Sequence, residues 1–206
     1  MFTFIESAVF DRVRDVYLDD DEYAELQQFV MENPEAGQMV PGSGGVRKLR
    51  WKRKGMGKRG GLRVIYFVRY QPNECWMLTL YAKAKQENVP AHILKQLKEA
   101  LNMGKKLSGR ALAKFEAGGD VWQEVLDGVR EIKSGGGRRS MVEPRSPIVR
   151  ARLKAGLTQA QFAALLGVSR RTLEQWEQGR RKPSRAAKTL IKVAELHPEI
   201  LRKIAA

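Results

Sequence analysis

Apolar positions along the chain keep two rhythms. A period of two, or an unbroken β-branched and aromatic run, marks strands, and a period near 3.6 marks helices. FTFIESAVF opens as a short strand with Phe2, Phe4 and Ile5 buried. Asp19 to Glu22 then cap a helix, since carboxylates are favoured beside the unpaired N–H groups of a first turn. Tyr23, Leu26, Phe29 and Val30 form its inward stripe, and Asn33-Pro34 ends it. From Val46 to Arg53, Val46, Lys48, Arg50 and Lys52 alternate with Arg47, Leu49, Trp51 and Arg53, which predicts a strand with one strongly charged face. Leu62–Tyr70 and Cys75–Tyr81 read as two further strands, the first reached through the glycine-rich turn KGMGKRGG. Pro90–Leu101 predicts an amphipathic helix with Ile93, Leu94, Leu97 and Leu101 on one side.

The character then changes. Met103–Gly119 is polar and glycine-flanked, and Asp120–Lys133 resumes a helix with Val121, Val125, Leu126, Val129 and Ile132 on one stripe. That stripe fits either of two partners, the preceding sheet or the core of the C-terminal part. SGGGRRSMVEPRSP, residues 134–147, reads as a linker from its Gly, Ser and Pro content. Every segment after Pro147 reads helical. The predicted architecture is an α+β N-terminal domain, a small antiparallel sheet with helices, over residues 1–102. Residues 103–146 are a linker with one helix, and residues 147–206 form an all-α domain.

Charge sharpens this division. The chain carries 38 Lys/Arg against 23 Asp/Glu, a formal net charge of +15, with a pI near 10.1. Gly44–Tyr70 holds ten of those cations and no acid. Ten unneutralised cations on a rigid hairpin repel one another, so a polyanion explains them better than a solvated face does, and nucleic acid is the leading candidate. Lone Cys75 leaves no internal disulfide and is expected to be a small core thiol in a reducing compartment. No apolar run approaches the ~18 residues of a membrane-spanning helix, and the Met1 end has neither a basic nor an apolar leader. A soluble, cytoplasmic protein without a membrane partner is expected.

The C-terminal part carries a specific motif. Thr158 starts a helix whose Phe162, Ala163 and Leu166 face inward, Gly167 permits a tight turn, and Ser169 caps a second helix anchored by Leu173 and Trp176. Two short helices crossing closely through small Ala163 make a helix-turn-helix, whose second helix meets base edges with its first residues. Arg170, Arg171, Thr172, Glu174 and Gln175 stand there, and Arg suits guanine as Gln suits adenine. The string TQxxFAxLLGVSxxTLxxWExGxxxP resembles the Xre/Cro-type helix-turn-helix family, and the later HPEIL adds a resemblance to HigA-like antitoxins. The resemblance implies operator DNA as partner, a homodimer through this domain, and DNA-facing positions at Gln159, Gln161, Ser169, Arg170, Arg171, Thr172 and Gln175. It assigns Trp176 and Glu177 to structure.

With that half read, FxESxxF, YLxDxEYxxLQ, NPExGxxxPGSGGVRKLRW, GMGKRGGLRVIYFV and LTLYAKxK resemble the HigB branch of the RelE-like toxins over residues 2 to about 101. The resemblance implies a ribosome-dependent endoribonuclease acting on messenger RNA. The chemistry needs no metal and the sequence offers no metal cluster, so no metal or other cofactor is expected. RNA is cut by its own 2′-OH, so the enzyme must help deprotonate that hydroxyl, stabilise the phosphorane and protonate the leaving oxygen. No histidine lies in the basic region, since His92 stands on the predicted helix and His197 in the other domain. Lys, Arg or Tyr must therefore act, and a Lys crowded by cations can serve as acid or base. The resemblance implies catalytic roles for Lys48, Arg50, Arg63, Tyr81 and Lys83. It implies RNA-backbone contacts for Arg47, Lys54, Lys58 and Lys85. Trp51, Tyr66 and Tyr70 fit either base stacking or the core.

Asn102-Met103-Gly104 resembles an old start site, so the chain resembles a toxin and an antitoxin fused. Residues 103–146 would then be the neutralising segment, with toxin–antitoxin contact made inside one chain or between chains. Two other readings stay open. One is a DNA-binding transcriptional regulator whose RNA-binding N-terminal domain is catalytically inactive. The other is an RNA-binding module without cleavage.

Overall fold

The computed structural model describes residues 2–52, 61–82, 93, 96 and 121–205. Strands β1 (Phe2–Glu6), β2 (Gln38–Met39), β3 (Arg47–Trp51), β4 (Leu62–Arg69), β5 (Glu74–Ala82) and β6 (Arg138–Val142) form one sheet in the order β2-β3-β4-β5-β1-β6. Every neighbouring pair is antiparallel except β1 and β5, which run parallel. Helices α1 (Ala8–Tyr17) and α2 (Asp20–Glu32) cover one face. Helix α3 (Val121–Lys133) covers the other. The expected α+β domain is there, with a mixed rather than a purely antiparallel sheet.

Local chemistry accounts for the elements. Asp19 and Glu22 make a reciprocal capping box at the start of α2, and Asn33 closes its end. The opening strand is shorter than expected, because Ser7 ends it. The Ser7 hydroxyl accepts from Phe10 N at 3.1 Å and donates to Leu78 O at 2.7 Å, which caps α1 and fixes it to β5. The expected helix over 90–101 lies mostly outside the described residues. Of the two that are described, Ile93 is buried in the cluster that α3 forms with the sheet and Gln96 accepts from Arg130.

The stretch read as a linker, residues 134–147, contains a strand instead. After α3 the chain reverses through Gly135 and Gly137, both at positive φ, and β6 pairs antiparallel with β1. A Cβ on Gly137 would lie 2.7 Å from Glu6 O, so the glycine serves close approach rather than flexibility. β6 thus covers an edge of β1 that would otherwise stand unpaired.

Helix α3 decides between the two partners its stripe allowed. Val121, Val125, Leu126, Val129 and Ile132 pack with Ile5, Ile65, Trp76, Leu78 and Tyr81 of the sheet. The C-terminal core is built from α4 (Pro147–Ala155), α5 (Gln159–Leu165), α6 (Arg170–Glu177), α7 (Arg185–Leu196) and α8 (Pro198–Ala205) around Phe162, Leu173 and Trp176. The two halves share one further cluster, because Val149 and Leu153 of α4 pack with Phe10, Leu26 and Met31. Polar contacts tie the same seam. Buried Arg152 pairs with Glu177 at 2.6 Å and donates to Met31 O at 3.0 Å, while Asn73 donates to Leu153 O at 2.6 Å. Among the described residues, no helix is long and apolar enough to cross a membrane.

Candidate functional site

The register of β3, β4 and β5 assembles the first candidate site. Arg50 lies opposite Arg63, and Arg63 lies opposite Tyr81, so these three form a single row across the sheet. The next row is Lys48, Ile65 and Thr79. Directly opposed residues share a face with Cβ atoms about 5 Å apart, so Lys48, Arg50, Arg63 and Tyr81 face one way, towards the α3 side. Opposed like charges destabilise a sheet, and Arg63 is only 8% exposed. Among the described residues, no acid forms an ion pair with Lys48, Arg50 or Arg63. The row therefore concentrates guanidinium donors beside a phenol, an arrangement suited to a phosphate whose charge rises during reaction.

Other expected residues fall elsewhere. Arg47 points to the opposite face, because successive strand residues alternate. It donates to Glu35 O at 2.6 Å, with its other amino group 3.9 Å from the Glu35 carboxylate, so the RNA-backbone role expected of it is not supported by its placement. Tyr66 is fully buried with its hydroxyl on Ala36 O at 2.6 Å, and burial pushes that phenol far above its ordinary range. Tyr70 donates to Glu35 at 3.3 Å and is pushed up to about 12, first by burial and then by the Glu35 charge. Trp51 packs on Phe29 at 5.3 Å between ring centroids. These three aromatics thus serve packing and the Glu35 turn. Cys75 is buried, as expected, and burial raises its thiol. Lys54, Lys58, Lys83, Lys85 and His92 lie outside the described residues.

The second candidate site is the recognition helix. Thr158 and Gln161 form a capping box on α5, and Ser169 caps α6 through Thr172 N at 3.1 Å. Gly167, at φ +67°, makes the turn between them. Leu173, Trp176 and Glu177 face inward. Arg171 is exposed, and Thr172 and Gln175 are half-buried on the outward side. Gln159 corrects the expectation of a DNA contact. It is 1% exposed and donates to Glu32 O at 2.8 Å and to Glu177 at 2.7 Å, because the buried carboxylate needs donors beyond Arg152. Arg170 is exposed but engaged, with Glu174 at 2.9 Å and Glu35 at 2.8 Å.

Sequence reasoning also passed over the exposed cations Arg180, Arg181 and Lys182, which follow α6, and Arg185 and Lys188 in the first turn of α7. Among the described residues none of them pairs with an acid. The signal was present as the run GRRKPSR just past the recognition helix.

The family described as RelE toxin of the RelE / RelB toxin-antitoxin system matches residues 9–125, more than half of the chain. The chain belongs to the RelE toxin family. The RelE match runs past Asn102 into α3, the helix that packs on the sheet. A helix-turn-helix family matches residues 148–197. The C-terminal region is also similar to the antitoxin HigA-2 of Vibrio cholerae serotype O1, with 48% identity over 58 residues, 28% of this chain and 56% of that antitoxin. The chain therefore spans about half the length of that curated relative. A RelE-like toxin module and a HigA-like helix-turn-helix module stand in one chain.

Proposed function

We propose that this chain is a self-neutralised toxin–antitoxin protein, whose RelE-like part cuts messenger RNA on the ribosome and whose helix-turn-helix part binds operator DNA and represses its own transcription. The row Arg50–Arg63–Tyr81 carries the nuclease reading. Arg63 binds the scissile phosphate and stabilises the phosphorane, Arg50 shares that charge, and Tyr81 with Lys48 and Lys83 handles the protons. The cleavage uses the 2′-OH of the RNA and leaves a cyclic phosphate.

Residues 1–102 are the toxin part, 103–146 the neutralising segment and 147–206 the DNA-binding part in this reading. Helix α3 supports the middle assignment, because its apolar stripe lies on the same sheet face as the row and packs against Tyr81. The operator reading is supported by exposed Arg171 with Thr172 and Gln175, and by the cations from Arg180 to Lys188, which are suited to phosphates. A homodimer through the last two helices is supported by exposed Leu190, Leu196, Ile200 and Ile204.

The test is cleavage of message on translating ribosomes. Residues 1–102 should cut it, adding residues 103–206 should silence the cut, and the Arg63→Ala form should leave the message whole. Message left intact by a free module that circular dichroism shows to be folded would favour the alternative of a DNA-binding regulator with an inactive N-terminal domain. The observation that favours this alternative is the continuity of the sheet through β6 and α3, which ties the two halves into one packed unit.

A further inference from the structure

We propose that the Glu35 carboxylate competes with DNA for one flank of the recognition helix, so that the RelE-like half and a DNA duplex share Arg170 and cannot hold it together. The inference rests on the DNA-binding reading above and adds a site of competition to it. Helix α6 has three sides. Leu173, Trp176 and Glu177 point into the domain, and Arg171, Thr172 and Gln175 point outward. Arg170, Glu174 and Gln178 follow at intervals of four, which lines them along the remaining flank.

That flank is occupied by the turn after α2. Arg170 Nη1 donates to Glu35 Oε2 at 2.8 Å at one end, and Gln178 Nε2 donates to Asn33 Oδ1 at 2.9 Å at the other. Between them, Arg170 Nε donates to Glu174 at 2.9 Å. The guanidinium fork that would grip a phosphate or a guanine edge is thus divided between two carboxylates.

Glu35 is also held in place from behind. Its carboxylate accepts from Tyr70 at 3.3 Å, and its main-chain carbonyl accepts from Arg47 at 2.6 Å. The sheet therefore presents a fixed anion to the first residue of the recognition helix. A DNA phosphate reaching Arg170 must displace that carboxylate, and the turn must withdraw from the flank. Arg171 and Gln175 stay outside the contact, so the docked chain keeps part of its reading surface.

Fluorescence anisotropy of the full chain tests the idea. The probes are a labelled duplex of about 30 base pairs from the DNA just upstream of the coding sequence and an unrelated duplex of equal length. Glu35→Gln should tighten binding roughly two- to fivefold, the scale of a partly exposed ion pair removed from competition. In an Arg170→Ala background the same change should do nothing, which separates competition at Arg170 from the loss of one negative charge. Gln178→Ala, cutting the far end of the same contact, should also tighten binding and serves if Glu35→Gln fails to fold. Unchanged or weaker binding in the folded variants overturns the proposal, as does a gain that persists without Arg170. If neither wild type nor variants bind either duplex, the DNA-binding reading itself fails.

Discussion

Replacing Arg152 by Met should destabilise the chain more than any surface change. Both Arg152 and Glu177 side chains are 0% exposed, and their closest contact is 2.6 Å. The substitution leaves the Glu177 carboxylate buried with Gln159 as its remaining donor at 2.7 Å. Breaking a buried pair from one side costs about 3–5 kcal/mol, because an uncompensated charge stays in the interior. The same guanidinium donates to Met31 O at 3.0 Å, so the C-terminal end of α2 loses a donor as well. A second substitution, Glu177→Leu, removes the stranded charge and should recover most of the loss. The double variant should lie within about 1–3 kcal/mol of wild type, the cost of leaving the Met31 carbonyl unpaired. Urea unfolding followed by tryptophan fluorescence and far-ultraviolet circular dichroism measures all three forms. Arg152→Met stability within 1 kcal/mol of wild type, or a double variant worse than the single, would refute the reasoning.

Arg63→Ala should cost about 2.7–4 kcal/mol of transition-state stabilisation, or a hundredfold to a thousandfold in rate, if it removes one oxyanion donor. Single-turnover cleavage on ribosomes reads this out, and near-wild-type rates would remove Arg63 from the chemistry. Glu6→Gln should stabilise the chain at neutral pH. Burial raises the Glu6 carboxyl above its ordinary value, so the folded state binds its proton more tightly and the wild type loses stability as pH rises through that value. The advantage of the variant should vanish below the ordinary carboxyl range, and a gap constant with pH would show that burial of the charge is not the cause. Arg171→Ala should cost about 1–3 kcal/mol of DNA affinity and relax base preference at one position if it makes a bidentate base contact. A uniform loss across sequences would reassign it to phosphate.

Much of the molecule was legible because its signals are local. The charged alternation of β3, the β-branched run of β4 and the caps on Asp19, Thr158 and Ser169 each lie within a few residues. Their consequences appear where expected. The row Arg50–Arg63–Tyr81 was only half legible, since sequence supplied the residue types and register supplied the neighbours. Helix α1 was missed because the Ser7 cap gains its force from a distant carbonyl at Leu78. β6 was missed because glycines that permit a close turn resemble glycines that loosen a linker. The inward turn of Gln159 depends on a carboxylate 18 residues away and a carbonyl 127 residues away. Pairings of that range have no signature in a window of sequence.

The position of β6 bears on how the chain is made. β1 is synthesised before its parallel partner β5, with β2, β3 and β4 between them in sequence. Its other edge then waits for residues 138–142, roughly 55 residues later, or about 3–11 s at ~5–20 residues per second. During that interval any sheet already formed from β1 to β5 is still tethered to the ribosome that is making it, without its last strand or the helix that precedes it. The rate of elongation therefore sets how long each copy spends unfinished. Slow codons between β5 and β6 would lengthen that exposure without altering a single residue of the finished protein.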